Sequence, residues 1–343
     1  MQDATTAADS AARARTTVFP IVSYSGVTGI QYGATLFRTY RTGRDSATRA
    51  SSLSLYAART SKHYAKALAQ AERWSADNGL RLRARLEHTS YPLPYYGLGA
   101  SAADSAEEWY SHGVTVAYLL AQQEWRSANY AFGGLRLVQT RAMEAEPGGA
   151  IAPNSIPGSS GGTVVSAELG VVVDAREHLG APRRGNYARL VASSAARVLG
   201  GDFSFRRLTL DARRYAPIGP RGALAVQLQY DGVAGTAPFD QLPMLGADSA
   251  MRGYPRGRYR DNHAVTVQAE VRSGYWRRTG AVAFIGAGTV APDAGRLGRG
   301  PWFPTVGLGL RALLVPRDRT LARLDVGFGR RSVGLSVGLG EAF

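Results

Sequence analysis

Residues 239–261 read FDQLPMLGADSAMRGYPRGRYRD, and the rest of the chain is interpreted from this stretch outward. Pro243, Pro255, Gly246, Gly253 and Gly257, set among closely spaced charges, exclude the interior of a helix or a strand. The stretch is not a bland linker either, because Leu242, Met244, Leu245, Met251 and Tyr254 give it apolar anchors. A long loop with such anchors, inside a strand-rich chain, has a task beyond connection.

On both sides of it, apolar residues alternate with polar ones at a period of two. Val265, Val267, Ala269 and Val271 alternate with Thr266, Gln268, Glu270 and Arg272 on the C-terminal side. Upstream, Leu224, Val226, Leu228 and Tyr230 face away from Gln227, Gln229 and Asp231. Further back, Leu80, Leu82, Ala84 and Leu86 interleave with Arg81, Arg83, Arg85 and Glu87, and residues 164–174 behave alike. Such polar faces do not suit a packed sandwich core. They suit a sheet with lipid on one side and water on the other.

Counting such runs, from an opening hairpin over residues 19–41, gives about sixteen strands. If the first strand runs outward, the long connections near 91–107, 142–161, 234–262 and 292–301 all fall on the outer side. Tight turns at 76–79, 217–220 and 276–278 fall on the inner side, where the longest connection is near 176–185. Membrane barrels segregate their loops in this way; a soluble sandwich has no reason to. The predicted class is all-β: a transmembrane antiparallel β-barrel of about sixteen strands over residues 19–343. It follows a disordered tail over 1–18 and carries a long, plug-like sixth outer loop.

Composition agrees. The 343 residues include no Cys, which excludes a disulfide framework and thiolate zinc sites. No run approaches the ~20 apolar residues of a membrane helix, and mean hydropathy is −0.17. A formal charge of +15 raises nucleic acid as a partner. No recognition helix or aromatic-basic platform accompanies it, and arginines in a lumen and at a rim facing anionic headgroups account for the balance. Trp74, Tyr91, Tyr95, Tyr96, Trp109, Tyr110, Trp125, Tyr275, Trp276 and Trp302 fall near strand ends, as an interfacial girdle requires. Met1-Gln2-Asp3-Ala4 lacks the basic end and apolar core of a signal peptide. The expectation is a mature sequence from Gln2, its leader removed, located in the bacterial outer membrane.

Arg252-Gly253-Tyr254, with its flanking Gln-Leu-Pro-x-Leu-Gly and Gly-Arg-Tyr-Arg-Asp segments, resembles the sixth-loop motif of the BamA/TamA family, the bacterial surface antigen family of outer-membrane barrels. The end of the chain looks like an outer-membrane sorting signal. Leu335, Val337, Leu339 and Phe343 share one face, interrupted by Glu341. The resemblance spans about 19–343 and implies an arginine that reaches into the barrel to pair with lumen-facing acids. An unpaired buried charge is costly, so partners are needed. The family's partner motif, Phe-x-Asp-x-Gly, aligns with residues 284–288, where Gly286 replaces the aspartate. Glu270, Asp325 or both are the candidate substitutes. The family's periplasmic POTRA domains have no room before Phe19, so only the barrel half is expected.

The resemblance implies a role in outer-membrane protein assembly, insertion or translocation, with a weak seam between the first and last strands. The alternative is a passive pore or structural envelope barrel, or a subunit of a larger outer-membrane complex. Expected partners are outer-membrane lipids including lipopolysaccharide, and a periplasmic or outer-membrane protein, but no nucleic acid. No cofactor or metal is expected: His63, His88, His112, His178 and His263 show no ligand spacing. There is no Gly-x-Ser-x-Gly elbow, and Asp104, Glu107, Glu108 and His112 read as a solvated rim, so an enzyme is not expected. Gly286-x-Gly288 and Gly307-x-Gly309 precede no helix and read as places of sheet curvature or close packing.

Overall fold

The computed structural model describes residues 14–25, 29–43, 48–146, 148–246, 250–315 and 319–343. The strands are β1 (Arg15–Ser25), β2 (Gly29–Tyr40), β3 (Ser51–Thr60), β4 (Ala65–Trp74), β5 (Leu80–Tyr95), β6 (Glu108–Arg126), β7 (Asn129–Ala145), β8 (Gly162–Asp174) and β9 (Gly185–Ala195). They continue as β10 (Ser204–Ile218), β11 (Gly222–Thr236), β12 (Met244–Leu245), β13 (Tyr259–Arg260), β14 (His263–Arg272), β15 (Thr279–Ala291), β16 (Phe303–Val315), β17 (Thr320–Gly329) and β18 (Ser332–Leu339). Sixteen of them form one sheet in chain order, while β12 and β13 pair separately as a two-residue ladder between β11 and β14. Every described pairing is antiparallel, so strands adjacent in sequence are adjacent in the sheet.

The alternation in the sequence becomes an inverted burial pattern. Leu335, Val337 and Leu339 of β18 are 69%, 72% and 73% exposed, whereas Glu270 and Asp325 on the opposite face are 0% exposed. Leu80, Leu82, Leu86, Val267, Ile285, Leu308 and Leu310 also point outward. A soluble sheet buries such residues; an apolar band facing out and charge facing in is the pattern of a membrane-spanning sheet. Residues 96–107, 146–161, 237–262 and 292–302 connect strands on one side, and 75–79, 127–128, 219–221 and 273–278 do so on the other.

The chain separates into two compact units whose boundaries cut through strands. The first comprises Met1–Leu93, Tyr110–Val171 and Ser193–Phe205. Its inward face carries Glu72 with Arg81 and Arg83, and Glu87 with Lys66 and Arg85. The second comprises Pro94–Trp109, Val172–Ala192 and Arg206–Phe343, and it contains all of residues 239–261.

Four expectations need correction. β1 begins at Arg15, so the strand takes in four residues assigned to a tail ending at 18; Thr16, Thr17 and Val18 are β-branched and suit a strand. Residues 1–13 lie outside the described residues. The inner connection 41–50 is as long as 175–184, and Thr48 turns back to donate to the Ala76 carbonyl at 3.0 Å. Trp74, Tyr95, Tyr96 and Tyr110 are buried, not part of an outer girdle, since Arg49 stacks on Trp74 at 4.6 Å and Arg258 on Tyr96 at 4.8 Å. Trp109, Trp125, Trp276 and Trp302 do face outward. Finally, β18 ends at Leu339, and Phe343 leaves its face to pack against Tyr215 and Ala225.

Candidate functional site

The sixth outer loop folds on its own apolar anchors. Leu245, Met251, Tyr254 and Tyr259 form one cluster with Ala264, Val290 and Phe303 from the outer ends of β14, β15 and β16. Tyr259 stacks on Phe303 with centroids 3.5 Å apart. Tyr254 pins the loop with its hydroxyl, donating to the Pro304 carbonyl at 2.8 Å and accepting from the Arg330 amide at 2.7 Å. Arg260, 2% exposed, donates to the Phe239 carbonyl at 2.8 Å and so closes the loop's base. Residues 96–107 hold the other side: Gly99 N–H donates to Arg260 O at 2.8 Å, and Arg258 pairs with Asp104. Burial pushes the Tyr96 phenol up to about 12, with Glu107 adding to the effect and Arg258 opposing it. Burial also raises Tyr259 and the Asp261 carboxyl.

At the loop's tip the chain turns inward. Gly253 sits at φ +116°, a conformation side chains rarely adopt, and a Cβ there would press on the Gly327 and Phe328 backbone at 2.8 Å. A Cβ on Gly327 would in turn strike the Arg252 carbonyl. Backbone therefore rests on backbone, and the Thr305 hydroxyl donates to Arg252 O. This seat delivers the Arg252 side chain, 2% exposed, to the inward face of the sheet.

There its guanidinium lies between two carboxylates: Nη2 is 2.7 Å from Glu270 Oε2, and Nη1 donates to Asp325 Oδ2 at 2.9 Å. Its plane covers the Phe284 ring at 3.6 Å. Both acids are shared with other cations. Arg272 donates to Glu270 at 2.8 Å, Arg311 to Asp325 at 2.5 Å, and Arg323 approaches Asp325 at 3.4 Å. Glu341 completes the group, accepting from Arg311 at 2.7 Å. Cross-strand glycines make the room: Gly309 lies opposite Asp325, and a Cβ on Gly307 would overlap the Phe284 ring. At Gly286 a Cβ would meet Gln268, Thr305 and the Val267 carbonyl, each at 3.1 Å.

The structure thus brings Arg252 together with both Glu270 and Asp325. Gly253 and Tyr254 seat the loop that carries it. Leu335, Val337 and Leu339 lie on the outward face of β18, away from this cluster, and Phe343 does not join them. Arg272, Arg311 and Glu341 belong to the site although sequence reasoning passed over them. Inward parity on neighbouring strands is the signal for Arg272 and Arg311; Glu341 has the outward parity of Leu339 and turns to the site only because β18 ends before it. Asp104 serves as Arg258's partner, which gives one member of the rim cluster a structural task. Among the described residues no group of His, Asp and Glu could hold a metal ion.

A sixteen-stranded antiparallel sheet with an apolar outer face, plus a long outer loop tied by an arginine to acids on the inward face, is the pattern of a transmembrane β-barrel. The Omp85 superfamily domain matches residues 48–315. The chain belongs to the Omp85 superfamily. Among solved structures it is similar to BamA from Haemophilus ducreyi lacking POTRA domains 1–3, at 14% identity and a TM-score of 0.64, covering 96% of this chain and 70% of that one. CdiB from Acinetobacter baumannii matches at 13% identity and TM-score 0.59, and CdiB from Escherichia coli at 12% and 0.62. They cover 94% and 95% of this chain, which spans 59% and 61% of their lengths. No curated protein matches the sequence at a significant level.

Proposed function

We propose that this Omp85-type barrel resides in the bacterial outer membrane and assists the insertion or translocation of outer-membrane proteins, with the sixth loop latched by Arg252. The observation that carries this reading is the Arg252 guanidinium held between Glu270 and Asp325 at 2.7 and 2.9 Å. A latch of charge pairs can be exchanged for other pairs or for water without breaking covalent or apolar structure, which suits a loop that moves during a cycle. Lipids of the outer membrane, lipopolysaccharide among them, face the apolar band, and a periplasmic or outer-membrane protein is the partner. The backbone seat of Gly253 on Gly327 favours the second reading, a passive pore kept shut by a fixed plug.

Liposomes preloaded with folded protein should accelerate the folding of urea-unfolded copies of the same chain, scored by the heat-modifiable gel band. Empty liposomes give the baseline. No acceleration would sink the assembly reading. In planar bilayers, deletion of residues 239–261 should then raise a low conductance. A raised conductance without folding activity would leave the plugged pore as the function.

A further inference from the structure

The inner turns of the second unit frame an open concavity of about 260 Å³, which touches the ion-pair group around Arg252 through Arg272 and Glu341. Arg183, Arg221, Arg272, Arg319 and Tyr275 line it, against one carboxylate, Glu341. Two of the cations are matched elsewhere: Arg272 by Glu270 at 2.8 Å and Arg319 by Glu177 at 3.0 Å. Glu341 is engaged by Arg311 at 2.7 Å. The Arg183 guanidinium donates only to carbonyls, Pro220 O at 2.8 Å and Gly222 O at 3.4 Å. Arg221 is exposed and makes no ion pair among the described residues. Glu177 also lies in the field of the Arg183 charge, so two arginines share that one exposed carboxylate. Arg221 has no acidic neighbour among the described residues, and the concavity keeps an excess of positive charge.

We propose that this cavity binds a phosphate group. Guanidinium forks approaching from separate turns, with a phenol beside them, match the several oxygens of a tetrahedral oxyanion better than a planar carboxylate, which a single fork satisfies. The Tyr275 phenol, like any tyrosine, is protonated and can donate at neutral pH, and burial moves its titration further up. Trp276, 72% exposed, and the exposed Arg277 and Arg278 continue the same turn. Aromatic and basic residues in one turn are the combination found at headgroup level. The phosphate is that of a phospholipid headgroup or a free inorganic ion.

The full chain in detergent should bind inorganic phosphate by calorimetry, or retain a phospholipid in native mass spectrometry. Arg183→Gln and Arg221→Gln should each weaken binding about tenfold, the loss of a charge-assisted hydrogen bond. Arg299→Gln, at an exposed arginine in the outer connection 292–302, should not, and all variants should keep the heat-modifiable band. Should R183Q not fold, the exposed R221Q alone decides. A retained lipid that phosphate fails to displace assigns the headgroup; phosphate binding without retained lipid assigns the free anion. The proposal is overturned if wild type binds neither, if the variants bind as wild type does, or if succinate binds as tightly as phosphate.

Discussion

Two regions build inward-facing charge from the same residue types and reach different ends. In the first unit, the side chains of Glu72, Glu87, Lys66, Arg81, Arg83 and Arg85 remain 15–38% exposed. In the second, those of Arg252, Arg272, Arg311, Arg323, Glu270, Asp325 and Glu341 are 0–9% exposed. What separates them is the loop. Its tip and the glycines beneath it bury Arg252, Glu270 and Asp325 almost completely, so little solvent can replace a lost partner there. Composition sets how many charges there are; burial sets what each is worth.

Removing one partner from the buried group should expose the contrast most strongly. Arg252→Ala leaves Glu270 and Asp325 short of a cation and should cost about 3–5 kcal/mol, read as a lowered urea midpoint in detergent. An unchanged midpoint and heat-modifiability would show that the latch holds nothing. Gly253→Ala imposes strain of about 1–3 kcal/mol from its backbone angle alone, and should open Arg256 and Arg258 to trypsin. Tyr254→Phe removes two hydrogen bonds and should cost about 1–2 kcal/mol, again with faster loop cleavage.

The half-exposed group should answer weakly. Glu72→Gln, which unpairs Arg81 and Arg83, should change stability by at most about 1 kcal/mol; a loss as large as that of Arg252→Ala would erase the distinction. The smallest effect belongs to an exposed pair on the inner turns. Burial pushes the Glu177 carboxyl up, but Arg319 and the Arg183 amide outweigh this and hold it below its ordinary 4.5. Its contribution is present above pH 4.5 and fades as pH falls through the depressed value. Arg319→Gln should therefore melt slightly below wild type at neutral pH, and the gap should vanish in strong acid.

The alternation written into residues 80–87, 224–231 and 265–272 determined by itself that the chain forms a sheet with apolar and polar faces. The turn chemistry of 239–261 determined that one long loop interrupts it. Both are local, fixed by a period of two and by where Pro and Gly fall. That Glu270 and Asp325 both reach Arg252 was not local. It follows from register, which sets Glu270 opposite Phe284 and Asp325 opposite Gly309, and from the depth at which Gly253 meets Gly327. Likewise, Phe343 keeps the parity of Leu339 in the sequence, yet the chain leaves the sheet before reaching it, and Arg272 holds its carbonyl at 2.7 Å. Parity names the face a residue is offered to; only the assembled sheet and the loop lying on it decide which groups meet there and which are shut away from water.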